Sequence, residues 1–232
     1  MNLSGLMGGV YYISQWIMRL SITNILWLLF NLPIVYFMIN LMFLENKQSI
    51  VANMIVITIM LPIIFFPATT ALFGVVRRWV LKDFDAPLFK SFLTYYKLNY
   101  LRSFLGGMVI VPIWVALIVN FLYYSENHRT VAFSILIIVT MFLFVITSHF
   151  LANTVHLEIK FFDSLRSSVY LCCGNVFYSL AIFLTTVLIF YVSFYVFTFF
   201  MAVLIGPCFA AAAFFGYLRA YTRVQSLQNF VN

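Results

Sequence analysis

Two histidines and a glutamate are the residues whose types and spacing come closest to a metal site. His149 and His156 are seven positions apart, so they would share one face of a continuous helix, and Glu158 follows. Imidazole and carboxylate groups are common ligands of divalent metals. The spacing matches no strong metal motif, however, and His156 lies at the border of an apolar segment. We therefore expect neither a bound metal nor another cofactor.

Motifs typical of catalytic sites are also missing from the sequence. It contains no Gly-rich phosphate loop, no nucleophile elbow and no His-Glu-x-x-His pair. No apolar segment carries an acidic residue at its centre, which argues against a carboxylate proton relay. We predict no catalytic residues and a protein that is not an enzyme.

Three polar residues inside apolar segments are the remaining candidates for a functional site. Asn31, Asn120 and His149 are the ones that could line a pathway for a solute. Such side chains more often form hydrogen bonds between helices and stabilise packing. The sequence leaves both interpretations open.

The segments that carry these residues are built for a lipid environment. Residues 167–218 contain no charged side chain, and one helix of that length would measure about 78 Å. A bilayer has a hydrocarbon core about 30 Å thick, so the stretch suits two crossings. Hydrophobic residues make up 65% of the chain and charged residues 8%, against about 25% charged in soluble domains. The sequence therefore predicts an integral membrane protein, with residues 1–232 as a single membrane domain.

Charge distribution predicts the orientation of the helices. We place six transmembrane helices, arranged as three hairpins in an all-α bundle, at 22–43, 50–76, 104–124, 131–152, 176–197 and 199–219. Of the 13 Lys and Arg residues, only Lys47 and Arg129 lie in the loops 44–49 and 125–130, and the rest lie on the opposite side. Basic residues concentrate in cytoplasmic loops, so both termini should be cytoplasmic. The net charge of +7 then reflects orientation and does not indicate nucleic acid as a partner.

Two cytoplasmic connections resemble amphipathic arms. After Pro87, aromatic and aliphatic residues recur at helical spacing up to Tyr100, while Lys90 and Lys97 fall on the other face. The connection 161–175 has a weaker pattern of the same kind. Such helices suit the headgroup layer of a membrane, but they could equally pack on their own bundle.

A repeated signature links two of the predicted spans. Pro67 is followed by Phe73-Gly74 and Arg77, and Pro207 is followed by Phe215-Gly216 and Arg219. Arginine at a membrane border can contact lipid phosphate or the carbonyl groups at a helix C-terminus. We predict that Arg77 and Arg219 are equivalent anchors at the cytoplasmic border.

The segments Trp27-Leu-Leu-Phe-Asn31-Leu-Pro33 and Phe66-Pro67-Ala-Thr-Thr-Ala-Leu-Phe-Gly-Val-Val-Arg-Arg-Trp79 resemble the YesL-like family of small bacterial membrane proteins. Family members often lie near genes for carbohydrate uptake and glycan degradation. The resemblance implies a multi-pass protein of the bacterial cytoplasmic membrane, with the bilayer and a sugar-uptake system or another membrane protein as partners. It implies an accessory or assembly protein for carbohydrate uptake or envelope metabolism. The alternative is a small transporter or channel for a sugar-like solute.

The predicted orientation can be tested with single cysteines in a background without the native ones. Asn46→Cys and Asn127→Cys should react with an impermeant maleimide in intact cells, because both loops are expected outside. Ala86→Cys should react only after the membrane is opened. Labelling of position 86 in intact cells would show that the orientation is inverted.

Overall fold

The computed structural model describes residues 6–84, 87–126, 130–196 and 204–231, and all regular structure in these ranges is helical. The predicted all-α class is therefore confirmed. The helices are α1 (Leu6–Phe30), α2 (Leu32–Asn40), α3 (Lys47–Met60), α4 (Phe66–Val80), α5 (Leu88–Glu126), α6 (Thr130–His156), α7 (Phe161–Gly174), α8 (Val176–Tyr191) and α9 (Ile205–Val231).

Within the part of the chain that the structure describes, five stretches of helix are long and apolar enough to cross a membrane. They are Gly9–Phe30, Lys47–Val80, Leu88–Tyr124, Phe133–His156 and Val176–Tyr195. The sixth predicted span, 199–219, begins outside the described residues, and its apolar part in α9 is too short to cross a bilayer alone. The structure thus supports a membrane protein with five candidate spans.

The first predicted span, 22–43, is wrong as a single helix. Helix α1 begins at Leu6 and ends at Phe30, and Asn31 separates it from α2 with φ −90° and ψ 4°. The cause is Pro33, which has no backbone N–H and whose ring obstructs the carbonyl four residues earlier. The chain therefore forms a long α1 and a short apolar helix from Leu32 to Phe43.

Helices α3 and α4 join through a π-helical turn at Leu61–Phe65. Pro62 cannot donate to the α-helical ladder, and the wider turn carries the chain past it. Helix α5 approaches closely at this point, since a Cβ on Gly107 would lie 2.6 Å from Pro62 Cα. Glycine at this position is therefore what allows the two backbones to meet.

Helix α4 lies at the centre of the bundle. Every residue from Phe66 to Val76 is buried, and α1, α5, α6 and α9 pack around this helix. Aromatic rings fill the contact with α1, where Trp16 lies edge-on to Trp79 and Phe84.

A hydrogen bond also joins α3 to α2. The Asn53 side-chain amide on α3 donates to the Phe37 carbonyl on α2 at 3.1 Å.

The buried start of α9 is completed by a side chain from α1. The N–H of Gly206 donates to Asn24 Oδ1 at 3.1 Å. The N–H groups of a first helical turn have no partner within their own helix, so Asn24 acts as an N-cap from a distant element. Pro207 in the same turn has no N–H to satisfy. A Cβ on Gly206 would lie 2.7 Å from Asn24 Oδ1, so this contact also explains the glycine.

The two predicted amphipathic arms differ in the structure. The first is the beginning of α5, a continuous helix of 39 residues. Its aromatic face packs on the bundle, with Phe92 fully buried and Tyr96 4.8 Å from Phe30 between ring centroids. The second arm is the separate helix α7, where Phe162 is 71% exposed. Its buried face consists of Ser164, Ser168, Leu171 and Cys172.

Loss of the cap on α9 should destabilise the fold. We expect Asn24→Ala to lower the free energy of unfolding by about 1–2 kcal/mol, because the Gly206 N–H would be buried without an acceptor. Asn120→Ala is the matched control, since Asn120 is exposed and bonds only to Ala116 O within its own helix. The control should change stability by less than about 0.5 kcal/mol. Thermal unfolding in detergent measures both, and equal effects would rule out a role for the cap.

Candidate functional site

A buried polar cluster joins α6, α7 and α9 inside the bundle. Asn153 is fully buried at its centre. Its Oδ1 accepts from the Tyr217 hydroxyl at 2.7 Å, and its Nδ2 donates to Ser164 O and Ser168 Oγ, each at 3.3 Å. The Ser168 hydroxyl donates in turn to Ser164 O at 2.7 Å. A fully hydrogen-bonded amide of this kind holds three helices in a fixed arrangement.

His156 connects this cluster to α4. Arg77 Nε donates to His156 Nδ1 at 3.3 Å, so this ring nitrogen carries no proton in that contact. The imidazole also lies edge-on to Tyr217 and Tyr221, with centroids 5.7 and 5.6 Å away. The arrangement places a cation, a neutral imidazole and two phenol rings together at one end of the bundle.

His149 lies on the same face of α6, one turn before Asn153, and differs from it. Its ring is fully buried, and neither nitrogen has a hydrogen-bond partner among the described residues. The nearest aromatic neighbour is Tyr217, whose ring centroid is 5.9 Å away. Because neither nitrogen has a partner, His149 does not act as a hydrogen-bonded link between helices here. A buried polar group without a partner costs about 1–3 kcal/mol of stability. Among the described residues, the structure brings together no three groups that could hold a metal ion.

The two asparagines of the predicted pathway lie apart from His149. Asn31 is buried at the break between α1 and α2, where its Nδ2 donates to Trp27 O at 2.8 Å. Trp27 Nε1 donates to Thr69 Oγ1 at 3.1 Å, which ties this break to α4. Asn120 is exposed on α5. The structure therefore does not gather the three residues, and a pathway through them stays a prediction.

An apolar cavity of about 310 Å³ lies between α4, α5 and α6 near the middle of the bundle. Its polar groups are few, and the Trp114 indole N–H among them donates to Thr147 Oγ1 at 3.3 Å. None of Asn31, Asn120 and His149 lines it. The residues that line the cavity are Leu61, Phe65, Phe66, Thr69, Val111, Trp114, Ile118, Phe144, Thr147, Ser148, Leu151 and Phe209.

The two arginines of the repeated signature have different surroundings. Arg77 is half-buried against His156, whereas Arg219 is exposed and lies 5.1 Å from the centroid of the Phe215 ring. The glycines of the signature share a role, because each lies against a side chain of a neighbouring helix: Gly74 against Tyr95 on α5, and Gly216 against Ile182 on α8. Whether the two arginines are equivalent anchors stays a prediction.

Comparison with known proteins finds a family match in the first part of the chain. Residues 20–121 match the family described as "Protein of unknown function, DUF624". Over these residues the chain is similar to that family. The DUF624 segment runs from α1 to α5 and includes Asn31, Arg77 and Asn120. His149, Asn153 and Tyr217 lie beyond it, so the buried cluster combines Arg77 of the DUF624 segment with side chains from the rest of the chain.

Curated relatives confirm the predicted resemblance to YesL-like proteins. The chain is 30% identical over 128 residues to the uncharacterized protein YteU of Bacillus subtilis strain 168, which covers 55% of this chain and 46% of that protein. It is 26% identical over 149 residues to the uncharacterized protein YesL of the same organism, covering 61% of this chain and 59% of that protein. The chain thus spans about half the length of the curated relatives it matches. No solved structure matches it.

Sequence reasoning missed the residues that organise the cluster. Asn153 follows His149 by four positions and precedes His156 by three, so all three share one helical face. That spacing was a usable signal for a polar face on α6. No local pattern marks Tyr217, which lies 64 positions from Asn153 in the chain. Ser164 and Ser168 were hidden because the inward face of α7 is its small and polar side.

The contrast between Asn153 and His149 yields a paired test of stability. Asn153→Ala should lower the free energy of unfolding by about 1–3 kcal/mol, because the Tyr217 hydroxyl loses its acceptor. His149→Leu should leave it unchanged or raise it by about 1 kcal/mol, because an apolar group replaces an unsatisfied polar one. Thermal unfolding of both variants in the same detergent makes the comparison. A loss in His149→Leu as large as in Asn153→Ala would show that the imidazole is hydrogen-bonded in the membrane.

Proposed function

We propose that this protein is a non-enzymatic accessory or assembly protein of the bacterial cytoplasmic membrane, associated with carbohydrate uptake or envelope metabolism. It crosses the membrane six times, with both termini in the cytoplasm, and acts by binding a transmembrane helix of another protein. The uptake setting comes from the resemblance to YesL-like proteins. The observation that carries the proposal is a pair of adjoining apolar grooves that open on the outside of the bundle.

The grooves lie between α5, α6 and α8 and meet at Phe183. The first has a volume of about 310 Å³ and is lined by Trp114, Leu117, Ile118, Phe121, Leu122, Ile137, Thr140 and Phe183. The second, of about 380 Å³, is lined by Phe144, Phe183, Thr186, Val187, Phe190, Tyr191, Phe194 and Tyr195. Shared lining residues also connect both grooves to the central cavity, through Trp114 and Phe144.

Walls of this composition favour a helix as the occupant over a sugar-like solute. A carbohydrate pathway needs groups that hydrogen-bond hydroxyls, yet the hydroxyls of Thr140 and Thr186 already donate to carbonyl groups of their own helices. Aliphatic and aromatic side chains of a transmembrane helix would instead fill the grooves by van der Waals packing, which drives helix association in lipid. The continuity of the two grooves provides a site longer than one side chain.

The transporter alternative depends on a different observation, the fully buried His149 without a hydrogen-bond partner. Polar groups at such positions often mark a path for ions or solutes. No acidic side chain lies at the centre of the described spans to support proton coupling, so we rank this function second.

Site-specific photocrosslinking in native membranes tests the accessory function. A benzoylphenylalanine at Phe183 should form an adduct with one membrane protein, which mass spectrometry identifies as a component of a sugar-uptake or envelope system. The same probe at Leu184 is the matched control, because Leu184 is the next residue on α8 and is 56% exposed toward the outside of the bundle. It should capture lipid and no defined protein.

Two outcomes would contradict the accessory function. Lipid adducts alone at both positions would show that the grooves hold no partner helix. Loss of glycan uptake in Asn31→Leu, with unchanged unfolding temperature, would instead indicate that Asn31 lines a transport pathway.

A further inference from the structure

A third groove, between α8 and α9, differs from the others because it ends at a cation. It has a volume of about 380 Å³ and is lined by Phe177, Tyr178, Ala181, Ile182, Thr185, Ala212, Phe215, Gly216 and Arg219. Ala181, Ala212 and Gly216 are small residues along its length, whereas Phe177 and Phe215 are large exposed rings. The small residues between the aromatic rings leave space in the groove that a flexible hydrocarbon chain can occupy.

Arg219 supplies the charge at one end of this groove. It is exposed, and among the described residues its guanidinium has neither a carboxylate partner nor a hydrogen bond to another side chain. The ion pair that the structure does contain, Arg78 to Asp83 at 2.6 Å, lies in the turn between α4 and α5. The Phe215 ring holds the Arg219 guanidinium over the groove, with 5.1 Å between the guanidinium carbon and the ring centroid.

The dimensions and placement of the groove fit a lipid. Along α9, Ala212 and Arg219 are separated by about 10 Å at 1.5 Å per residue, which is a substantial part of one membrane leaflet. Tyr178, at the same end as Arg219, is a residue type that favours the level of the lipid headgroups. An acyl chain would lie against the alanines while the phosphate lies at the arginine.

We infer that the groove between α8 and α9 binds an anionic phospholipid, with an acyl chain along Ala181 and Ala212 and the phosphate at Arg219. Charge complementarity favours this occupant, because an anion attached to a hydrocarbon chain matches both the apolar groove and the guanidinium at its end, which has no carboxylate partner among the described residues. This site is independent of the accessory function proposed above, because it uses a different face of α8.

Native mass spectrometry of the full chain, extracted in mild detergent and titrated with phosphatidylglycerol or phosphatidylcholine, tests the site. The wild-type protein should retain phosphatidylglycerol preferentially. Arg219→Gln should weaken its retention about fivefold, the effect of one lost arginine–phosphate contact. Arg219→Lys should retain most of the preference, because the positive charge remains. Glycerol phosphate, which has no acyl chain, should not compete.

Two further variants separate the groove from general attraction to the membrane surface. Arg223→Gln removes another exposed positive charge one turn later on α9, outside the groove, and should keep the wild-type preference. Ala181→Phe fills the groove between α8 and α9 without altering its charge. It should weaken the retention of phosphatidylglycerol as much as Arg219→Gln does. Circular dichroism and the unfolding temperature establish that each variant is folded.

Three results would overturn this inference. Equal weakening in Arg219→Gln and Arg223→Gln would show diffuse electrostatic attraction without a site. Unaltered retention in a folded Ala181→Phe variant would show that no chain enters the groove. Competition by glycerol phosphate would show an anion site that does not select lipid.

Discussion

The hydrogen bond from the Gly206 N–H to Asn24 fixes the position at which α9 begins. A helix that starts inside an apolar bundle exposes N–H groups that have no water to bond, and each of them needs an acceptor from the protein. Asn24 supplies one, and Pro207 removes another. Because α9 begins where α1 provides that acceptor, its next turns lie against α4, α6 and α8, and Tyr217 reaches Asn153 on α6. The polar cluster, the contact of Tyr217 with His156 and the groove along α8 all depend on this placement.

Close packing at glycines, more than polar contacts, determines how near the helices approach one another. The ring of Phe150 lies against Gly106, and the backbone at Pro62 lies against Gly107. Van der Waals contact of this kind is a main source of helix association in lipid, since lipid chains are as apolar as leucine. Hydrogen bonds then specify the partners: Ser103 on α5 donates to Thr70 on α4 at 2.8 Å. The bundle is consequently tight around α4, where every residue from Phe66 to Val76 is buried.

Local pattern was sufficient to predict the helical class and three of the six spans. It failed where contacts between distant residues determine where a helix begins or how it packs. The predicted spans at 50–76, 104–124 and 131–152 all lie within helices of the structure, because apolar runs of that length have no other stable form in lipid. The sequence left two positions open for the start of α5, the membrane surface or the surface of the bundle. The contact of Tyr96 with Phe30 places it on the bundle, and Phe30 belongs to the distant helix α1. The cap on α9 joins residues 182 positions apart, so no periodicity could reveal it.

In the candidate site, too, the local sequence singled out individual residues but did not predict their surroundings. His149 was chosen as a polar residue inside an apolar segment, and Arg77 and Arg219 were chosen as the arginines that end the repeated signature. Local sequence is enough to select all three. Their environments, with Arg77 bonded to an imidazole and Arg219 open to the surroundings, follow from which helices pack beside them. The two copies of the signature share a close contact of their glycines, Gly74 and Gly216, with a side chain of a neighbouring helix. The predicted equivalence of the two arginines stays a prediction.

The π-helical turn at Leu61–Phe65 also constrains how this segment can change during evolution. Such a turn contains one residue more than an α-helix needs to cover the same distance. A deletion there would keep α3 and α4 continuous but would rotate one against the other by about 100°. The buried face of α4 would then point toward lipid, so a descendant that lost this residue would have to rebuild the contacts of α4 with α1, α5, α6 and α9 at once.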